Sequence, residues 1–520
     1  MLSYFLLSKI KTWEEPMNNT LVLMILNLVG KLFSFFREMV FSYFYGTSAI
    51  TDAFNTSTTA ATLIFSVITY ALSKTYIPTY SQITKERGEA AGDIFTNKLL
   101  NFSLFLCTTI MILGLVFAPY IVKMFAIGYD GEKLKIASLF MRAVILTMYP
   151  NIYAAIFSSY LQIKGDFITP ALPLLILNVI LGITVAISKG NVVIMAVGIF
   201  LAYFIQFAVF PKKIRETGFK RSKIKLDIDN DIKRLIKLSI PTIFSMAAVY
   251  ISTIVDQSFA SIVSNDGGVS VVNYSLKILR IVSSTFIVPF QITAYPIIGK
   301  LAAEGNFDEV KNITSKTMVK VMVLFIPSLV GLMVLSRPII SFVYMRGAFG
   351  YEDMIRTADV LFYYTIYLIG PAVADLLYLS FFSVQNTKIP TIISFIQLSV
   401  NIYLDYALSK RYGLIGLALA TTLSQFVLVG LASAMYVKHF GKLDNAYIFK
   451  NIGKIAIAAT ALGFVANYTY KLRPSNLWLF VTILVAAVVY LAIIFALRVD
   501  GLDEIKEKLS KKTEKIRRKN

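Results

Sequence analysis

Long, continuous apolar segments limit the fold of this chain more than any other feature of its sequence. Fourteen of them are long enough to cross about 30 Å of hydrocarbon as a helix, which takes roughly 20 residues. They lie approximately at 20–45, 52–77, 98–122, 136–161, 167–188, 191–211, 232–262, 269–299, 316–336, 356–383, 389–409, 413–437, 449–470 and 475–498. Such runs are too long and too uniform for the alternating strands of a membrane barrel. We therefore predict an all-α polytopic membrane protein with 14 transmembrane helices.

The composition excludes several other classes of protein. Of the 520 residues, 57% are hydrophobic and 16% are charged, whereas about 25% are charged in an average soluble domain. The single cysteine, Cys107, permits no intramolecular disulfide. The single histidine, His439, leaves little scope for zinc binding or histidine-based catalysis. We also expect no cleaved signal peptide, because the N-terminal stretch lacks a separate short apolar region with a cleavage site.

The net charge of +21 is distributed unevenly between the predicted loops. With the N-terminus placed in the cytoplasm, 34 of the 51 Lys and Arg residues fall on the inner side and 11 on the outer side. This asymmetry follows the positive-inside rule, and an even number of spans returns the C-terminus to the same side. The sequence therefore predicts a multi-pass protein with both termini in the cytoplasm.

Two basic segments could have a further role, the linker at 212–231 and the tail at 499–520. Basic segments of this kind can bind lipid headgroups or nucleic acid. Acidic residues are interleaved with the basic ones in both segments, which favours the simpler interpretation that they only orient the protein. We accordingly expect a membrane environment and no nucleic-acid partner.

The chain contains an internal repeat at a spacing of about 220 residues. Four pairs of prolines hold this spacing: Pro78 with Pro296, Pro119 with Pro338, Pro150 with Pro371, and Pro170 with Pro390. Each half contains six helices, an even number, so both halves enter the membrane from the same side as parallel repeats. Two such lobes around a central cavity can alternate their access to the two sides of the membrane, which is typical of a transporter and not of an enzyme.

The repeat also predicts the organisation of the chain. We expect a cytoplasmic N-terminus at 1–19, an N-lobe at 20–211, the basic linker at 212–231, a C-lobe at 232–437, two additional helices at 438–498 and a cytoplasmic tail at 499–520.

Six basic residues remain at the predicted depth of the membrane: Lys31, Arg37, Lys74, Arg142, Lys277 and Arg280. An ionisable group at that depth costs at least about 2.5 kcal/mol, so it is expected to face a cavity or a partner. Lys31 and Arg37 share the first helix with Glu38, and Lys277 and Arg280 lie on one side of the eighth. Cations in a low-dielectric cleft attract an anionic substrate, and arginine binds phosphate oxygens with two hydrogen bonds.

A structural interpretation of these charges stays open beside the functional one. Arg37 and Glu38 could form an internal ion pair that only fixes helix packing. Lys74 and Arg142 lie nearer to helix ends, where a long basic side chain can extend to the membrane surface.

Oxygen-bearing side chains form a second set of candidate residues. Asn401 and Asp405 lie one turn apart on the eleventh predicted helix, Asp256 lies on the seventh, and Thr421 on the twelfth. Oxygen ligands suit Na⁺ or another hard cation. Asn–Asp pairs also join membrane helices by hydrogen bonds, so the same residues have a purely structural interpretation. We expect no cofactor other than this possible Na⁺.

Several motifs resemble those of the MurJ (MviN) family of lipid II flippases, in the multidrug/oligosaccharidyl-lipid/polysaccharide exporter superfamily. Two fairly specific motifs are Asp-Ala-Phe at 52–54 and Arg-Gly-Ala-Phe at 346–349. The longer matching stretches are GKLFSFFREMVFSYFYGTSAITDAF at 30–54, VDQSFASIVSNDGGVSVVNYSLKILR at 255–280, AYPIIGKLAAEGN at 294–306, RPIISFVYMRGAF at 337–349, and NTKIP, NIYLD and GLIGLALATT within 386–422.

The resemblance implies that the chain moves an undecaprenyl-pyrophosphate disaccharide-pentapeptide to the outer leaflet of the bacterial cytoplasmic membrane. It implies a cationic central cavity, a lipid groove reaching the last two helices, and a conformational switch linked to an ion gradient or to voltage. We expect a monomeric transporter that is not an enzyme.

The resemblance also implies roles for individual residues. By the resemblance, substrate would be bound by Arg37, Lys277 and Asp52, and the sodium site would consist of Asp256, Asn401, Asp405 and Thr421. The charges at membrane depth add Arg280, Lys31 and Glu38 to the predicted substrate-binding residues. Lys277 stands where the family usually has an arginine, so the charge is kept but the two-pronged guanidinium is lost.

One departure from the family pattern keeps other substrates open. The family's arginine pair on the second helix falls near 62–67, where this chain has no charged residue. A different undecaprenyl-linked oligosaccharide, of O-antigen, capsule or teichoic type, is therefore an alternative, and a multidrug exporter is a more distant one. A membrane glycosyltransferase is disfavoured, because the predicted outer loops are short and lack a catalytic acidic pair.

Overall fold

The computed structural model describes residues 16–223, 225–264, 266–384 and 386–500, and the regular structure within these ranges is helical. This agrees with the predicted all-α class, because a helix satisfies its own backbone polar groups in an apolar environment. Nearly all of the predicted tail at 499–520 and most of the N-terminal segment at 1–19 lie outside the described residues.

Eleven helical stretches of the described residues, several of which include two consecutive helices, are long and apolar enough to cross a membrane. One of them, Lys388–Phe440, contains two predicted segments that the sequence places at 389–409 and 413–437. It is kinked at Gly413, whose φ of +60° and ψ of −136° are not helical. Pro16–Tyr45 and Asn230–Val263 correspond to the first and seventh predicted segments. The described helices are thus consistent with the predicted spans, and the two parts of Lys388–Phe440 on either side of Gly413 correspond to two of them.

The first of two compact units contains the described residues up to Gly267 together with Arg346–Phe349. Its helices are α1 (Pro16–Tyr45), α2 (Ala49–Arg87), α3 (Glu89–Val116), α4 (Ala118–Phe125), α5 (Gly131–Ile145), α6 (Met148–Ile163), α7 (Leu172–Ser188), α8 (Val192–Phe207), α9 (Phe210–Glu216) and α10 (Asn230–Val263), with a 3₁₀ turn at Thr169–Ala171. Within the unit, α2 packs against both α5 and α10, and α1 packs against α7.

The second unit contains the described residues of Gly268–Met345 and those from Gly350 onward. Its helices are α11 (Gly268–Phe286), α12 (Val288–Ala303), α13 (Phe307–Val334), α14 (Ser336–Tyr344), α15 (Tyr351–Thr365), α16 (Ile369–Ser383), α17 (Lys388–Phe440), α18 (Asn445–Leu472) and α19 (Asn476–Ala496), with a 3₁₀ turn at Ile366–Leu368. The last two helices, α18 and α19, pack against each other, and α18 also packs along α13. Both expose large apolar side chains such as Phe464 and Leu477, which suits a surface in contact with lipid.

The internal repeat is visible in the lengths of the helices. In the first half the 28-residue α3 is followed by the 8-residue α4, and in the second half the 28-residue α13 is followed by the 9-residue α14. The prolines paired by the sequence, Pro119 and Pro338, both lie near the start of these short helices. Pro78 and Pro296 both lie inside helices. The helix boundaries therefore support the duplication inferred from the sequence.

The packing units and the predicted lobes divide the chain at different places. Helix α10, the first helix of the predicted C-lobe at 232–437, belongs to the first packing unit. The lobes are defined by the repeat and the units by contacts, so the predicted lobe boundary stays a prediction beside the observed division at Gly267.

Candidate functional site

The predicted cationic residues of the first unit lie on α1, where one of them is paired. Arg37 Nη2 forms an ion pair with Glu38 Oε1, and both side chains are mostly buried. Lys31, almost two turns earlier on the same helix, is exposed. The internal pair that the sequence left open is therefore present, and an anionic ligand binding Arg37 would compete with the Glu38 carboxylate.

The predicted cationic residues of the second unit lie together on α11. Lys277 is half-buried, and its Nζ lies 5.4 Å from the centre of the Tyr274 ring, in cation–π contact. Arg280, three residues later on the same side of the helix, is exposed. Because these two residues and Arg37 belong to different units, their convergence on one cavity stays a prediction.

Asp52, also predicted to contact substrate, is completely buried near the N-terminus of α2. Its Oδ2 lies 2.8 Å from Lys133 Nζ and accepts a hydrogen bond of 2.9 Å from the backbone amide of Gly267. Lys133 also lies 3.3 Å from Asp266 and 4.5 Å from the centre of the Tyr129 ring. These contacts tie α2 and α5 to the segment after α10, so Asp52 has a structural role, and its contact with substrate stays a prediction.

The Arg-Gly-Ala-Phe motif at 346–349 also has a structural position in the first unit. The amide of Ala348 donates a 2.8 Å hydrogen bond to the carbonyl oxygen of Tyr43, at the end of α1. Gly347 has a φ of +55°, and a Cβ there would lie 2.2 Å from the same carbonyl oxygen. Only glycine combines that backbone angle with that close approach.

Three of the four predicted sodium ligands lie together on α17. Asn401 and Asp405 are fully buried and Thr421 nearly so. The kink at Gly413 separates the two parts of the helix, and Asn401 Nδ2 lies 3.5 Å from Thr421 Oγ1 across it. The fourth predicted ligand, Asp256, is half-buried on α10 in the other unit, so its participation stays a prediction.

The chemistry of these three residues fits a hard cation. Asn401 Oδ1 is a buried oxygen that accepts no hydrogen bond from the described residues. Such an acceptor carries a desolvation cost unless a donor or a cation satisfies it. Together with the Asp405 carboxylate and the Thr421 hydroxyl it offers oxygen atoms only, as Na⁺ prefers.

One membrane-embedded carboxylate was missed by the sequence analysis. Asp375 on α16 is half-buried, and its Oδ2 accepts a 3.1 Å hydrogen bond from Gln291 Nε2 on α12. No Lys or Arg among the described residues forms an ion pair with it. The signal was available, since Asp375 stands within the predicted apolar segment 356–383.

Of the two side chains expected to extend to the membrane surface, the structure describes that of Arg142. Arg142 is exposed, and its Nε donates a 3.2 Å hydrogen bond to the carbonyl oxygen of Leu115, in the last turn of α3. A cation at that position also complements the negative end of the helix dipole. The side chain of Lys74 lies outside the described part of the chain.

Comparison with known proteins identifies the family. The family model described as "Lipid II flippase MurJ" matches residues 41–490, from within α1 to within α19. The chain belongs to the MurJ family. The resemblance inferred from the motifs at 52–54 and 346–349 is thereby confirmed.

Curated MurJ relatives match over nearly their whole length. A probable lipid II flippase MurJ of Thermotoga maritima is 26% identical over 477 residues, which cover 90% of this chain and 94% of the relative. A probable lipid II flippase MurJ of Bdellovibrio bacteriovorus is 21% identical over 497 residues, covering 92% and 94%.

Solved structures of MurJ and of related transporters share the fold. The structure titled "Lipid II flippase MurJ, inward closed conformation" has a TM-score of 0.78 at 24% identity and covers 91% of this chain and 98% of that chain. An inward-facing multidrug resistance MATE family transporter of the MOP superfamily has a TM-score of 0.65 at 13% identity, covering 78% and 95%. The predicted fold class is therefore confirmed: an all-α polytopic membrane protein.

Proposed function

We propose that this MurJ-family protein flips lipid II, the undecaprenyl-pyrophosphate disaccharide-pentapeptide, from the inner to the outer leaflet of the bacterial cytoplasmic membrane. The observation that carries the proposal is the family match over residues 41–490, which covers most of both repeats and of the two additional C-terminal helices. The probable lipid II flippase MurJ of Thermotoga maritima matches over 90% of this chain and 94% of its own length. The protein is a monomeric transporter in this proposal, and it is not an enzyme.

The charge distribution supports an orientation with both termini in the cytoplasm. In this orientation the basic linker at 212–231 lies on the side from which the substrate is loaded.

In the proposed mechanism the pyrophosphate of the substrate is bound by Arg37, Lys277 and Arg280 while the lipid tail stays in the bilayer. The substrate takes Arg37 from Glu38, because a pyrophosphate offers more charge and more acceptor oxygens than one carboxylate. The two lobes then change their access from the inner to the outer side and release the headgroup. With the cavity empty, an inside-negative potential favours the return of its cations by about 2.3 kcal/mol per charge per 100 mV.

The proposal also includes a binding site for a coupling cation. Asn401, Asp405 and Thr421 would hold Na⁺, with Asp256 as the fourth ligand. When bound, the ion would supply positive charge to a buried group of oxygen atoms.

The test is complementation of a flippase-depleted bacterial strain by Arg37→Ala. We expect loss of growth at wild-type expression level, because the variant removes a cation at membrane depth and breaks the ion pair with Glu38. The control is Arg142→Ala, which removes an exposed arginine whose contact is a helix-end carbonyl, and it should support growth. Full growth of the Arg37→Ala strain would contradict the proposed substrate site.

A second candidate function is the flipping of another undecaprenyl-linked oligosaccharide. The observation that favours it is the absence of charge at 62–67, where the family has an arginine pair. Native mass spectrometry of the purified protein separates the two candidates by the mass of the co-purifying lipid. A bound undecaprenyl glycan without a peptide stem would support the second candidate in place of lipid II.

A further inference from the structure

The segment that joins the two repeats is fastened to the first unit along its length. We name residues 217–229 the linker strap. Its described residues, which do not include 224, begin with a turn and have no other regular secondary structure. Phe219 anchors the start of the strap: it is buried, and its ring centre lies 5.3 Å from that of Tyr160 and 6.4 Å from that of Phe157, both on α6.

Two asparagines one turn apart on α3 hold the backbone of the strap. Asn97 donates to the carbonyl oxygen of Lys220 at 3.0 Å and accepts from the amide of Ser222 at 2.8 Å. Asn101 donates to the carbonyl oxygens of Lys223 and Lys225, at 3.2 and 3.0 Å. These lysines are therefore held through their backbone, and within the described part of the chain their side chains do not fasten the strap.

Ion pairs with the helices use the acidic residues of this region. Lys98 Nζ lies 2.7 Å from Asp227 and 2.8 Å from Asp229. Just after the strap, Asp231 lies 2.6 Å from Arg87 Nη2 at the end of α2. The interleaved carboxylates that favour a purely topological interpretation of the sequence are thus turned towards α2 and α3.

What the strap presents outward is basic and partly apolar. Lys220, Lys223 and Lys225 are exposed, and no carboxylate of the described residues forms an ion pair with them. Leu226 and Ile228 are 44% and 41% exposed beside them. The strap crosses α3 at Asn97 and Asn101, where the predicted apolar segment 98–122 begins. In the predicted topology this is the level at which the hydrocarbon meets the headgroups.

We propose that the linker strap is a binding site for anionic phospholipid headgroups of the leaflet it faces. The three lysines contact lipid phosphates, while Leu226 and Ile228 enter the boundary between headgroups and acyl chains. Exposed aliphatic side chains at the edge of an apolar span suit a membrane and not nucleic acid, for which the strap exposes no aromatic ring, since Phe219 is buried. This goes beyond the proposed transport function and does not depend on which lipid is flipped.

The test compares the full-length wild type with Lys220→Gln/Lys223→Gln/Lys225→Gln, titrated with phosphatidylglycerol in zwitterionic micelles. Hydrogen–deuterium exchange of the strap amides and native mass spectrometry are the readouts. A lysine near an anionic surface changes affinity by about fivefold, so the triple variant should bind on the order of a hundredfold more weakly. The control, Lys123→Gln/Lys189→Gln/Lys471→Gln, makes the same charge change at exposed lysines on the opposite predicted side, and it should respond as the wild type does.

Two results would overturn the proposal. One is that phosphatidylglycerol leaves exchange of the strap amides unchanged in the wild type. The other is that the triple variant and the wild type bind this lipid equally. Should the triple variant express poorly, Lys223→Gln alone tests the same point with the smaller, fivefold effect. Since neither readout measures flipping, a failure of the proposed substrate would leave this test unaffected.

Discussion

The buried pair of Asp52 and Lys133 gives a direct test of whether Asp52 stabilises the first unit or contacts substrate. We consider Lys133→Met, which removes the ammonium group but keeps an unbranched side chain beside the Tyr129 ring. In this variant the carboxylate of Asp52 stays fully buried and keeps the hydrogen bond from the amide of Gly267, but it loses the ammonium group that lies 2.8 Å from its Oδ2. The expected result is a large loss of stability.

The magnitude follows from the exposure of the two side chains. Asp52 is 0% and Lys133 11% exposed, so their pair is buried. Removing one partner of a buried pair costs about 3–5 kcal/mol, because an uncompensated charge stays behind. The contact of Lys133 with Asp266 adds at most about 1 kcal/mol, since Asp266 is 68% exposed. The double variant Asp52→Asn/Lys133→Met removes both charges and keeps an acceptor for the Gly267 amide, so it should recover most of the loss.

The assay is reversible unfolding in mixed micelles, combined with complementation of the flippase-depleted strain. A loss below about 1 kcal/mol in Lys133→Met would refute the reasoning, because a buried pair cannot be broken so cheaply. If the double variant folds as the wild type does but fails to support growth, then Asp52 acts on substrate and the structural account is insufficient. Growth of the stable double variant would assign Asp52 to the scaffold.

Two further predictions concern the kink of α17 and the ion pairs of the linker strap. Gly413→Ala should destabilise the protein by about 1–3 kcal/mol in the same unfolding assay, because alanine cannot adopt φ +60° and ψ −136° without strain. The control is Gly430→Ala in the same helix, which has open space around it and should be neutral or slightly stabilising. Equal effects of the two substitutions would contradict the role given to the backbone of Gly413. Burial would raise the pKa of Asp229, but hydrogen bonds from Lys98 and backbone amides outweigh it and lower the pKa below its ordinary value. The ion pair of Asp229 with Lys98 therefore stabilises the strap at any pH above the ordinary pKa of an aspartate. This stabilisation is lost only as the pH falls through the lowered pKa of Asp229. In hydrogen–deuterium exchange, with Asp229→Asn as the comparison, the strap amides should be protected at neutral pH and should lose protection only in acid. Loss of protection near pH 6 would contradict the lowered pKa of Asp229.

The positions of the helices could be predicted because the thickness of the bilayer sets the length of each apolar segment. Their ends could not. Helix α2 runs to Arg87, whereas its apolar segment ends at 77, because polar residues outside the hydrocarbon can continue a helix in water. Hydropathy did separate 389–409 from 413–437 correctly, because the non-helical backbone of Gly413 divides Lys388–Phe440 into two helical parts.

The candidate site was predictable as a set of charges but not as a set of contacts. Arg37 and Glu38 are neighbours in the sequence, so their pair could be anticipated. The partner of Asp52 is 81 residues away, and that of Asp375 is 84 residues away. Such pairings are determined by which helices pack together, and no local periodicity encodes them.

The duplication helps to separate scaffold from chemistry. At the spacings set by the paired prolines, Asp375 corresponds to Ala154, and Gln291 to Ser73. The corresponding helices, α6 and α16, have 16 and 15 residues, so their length does not depend on a carboxylate at this position. Arg37 likewise corresponds to Val255, whereas the carboxylate beside it recurs as Asp256. The shared apolar pattern thus specifies the helices of both halves, and the residues that differ between halves are those for which a functional role should be sought first.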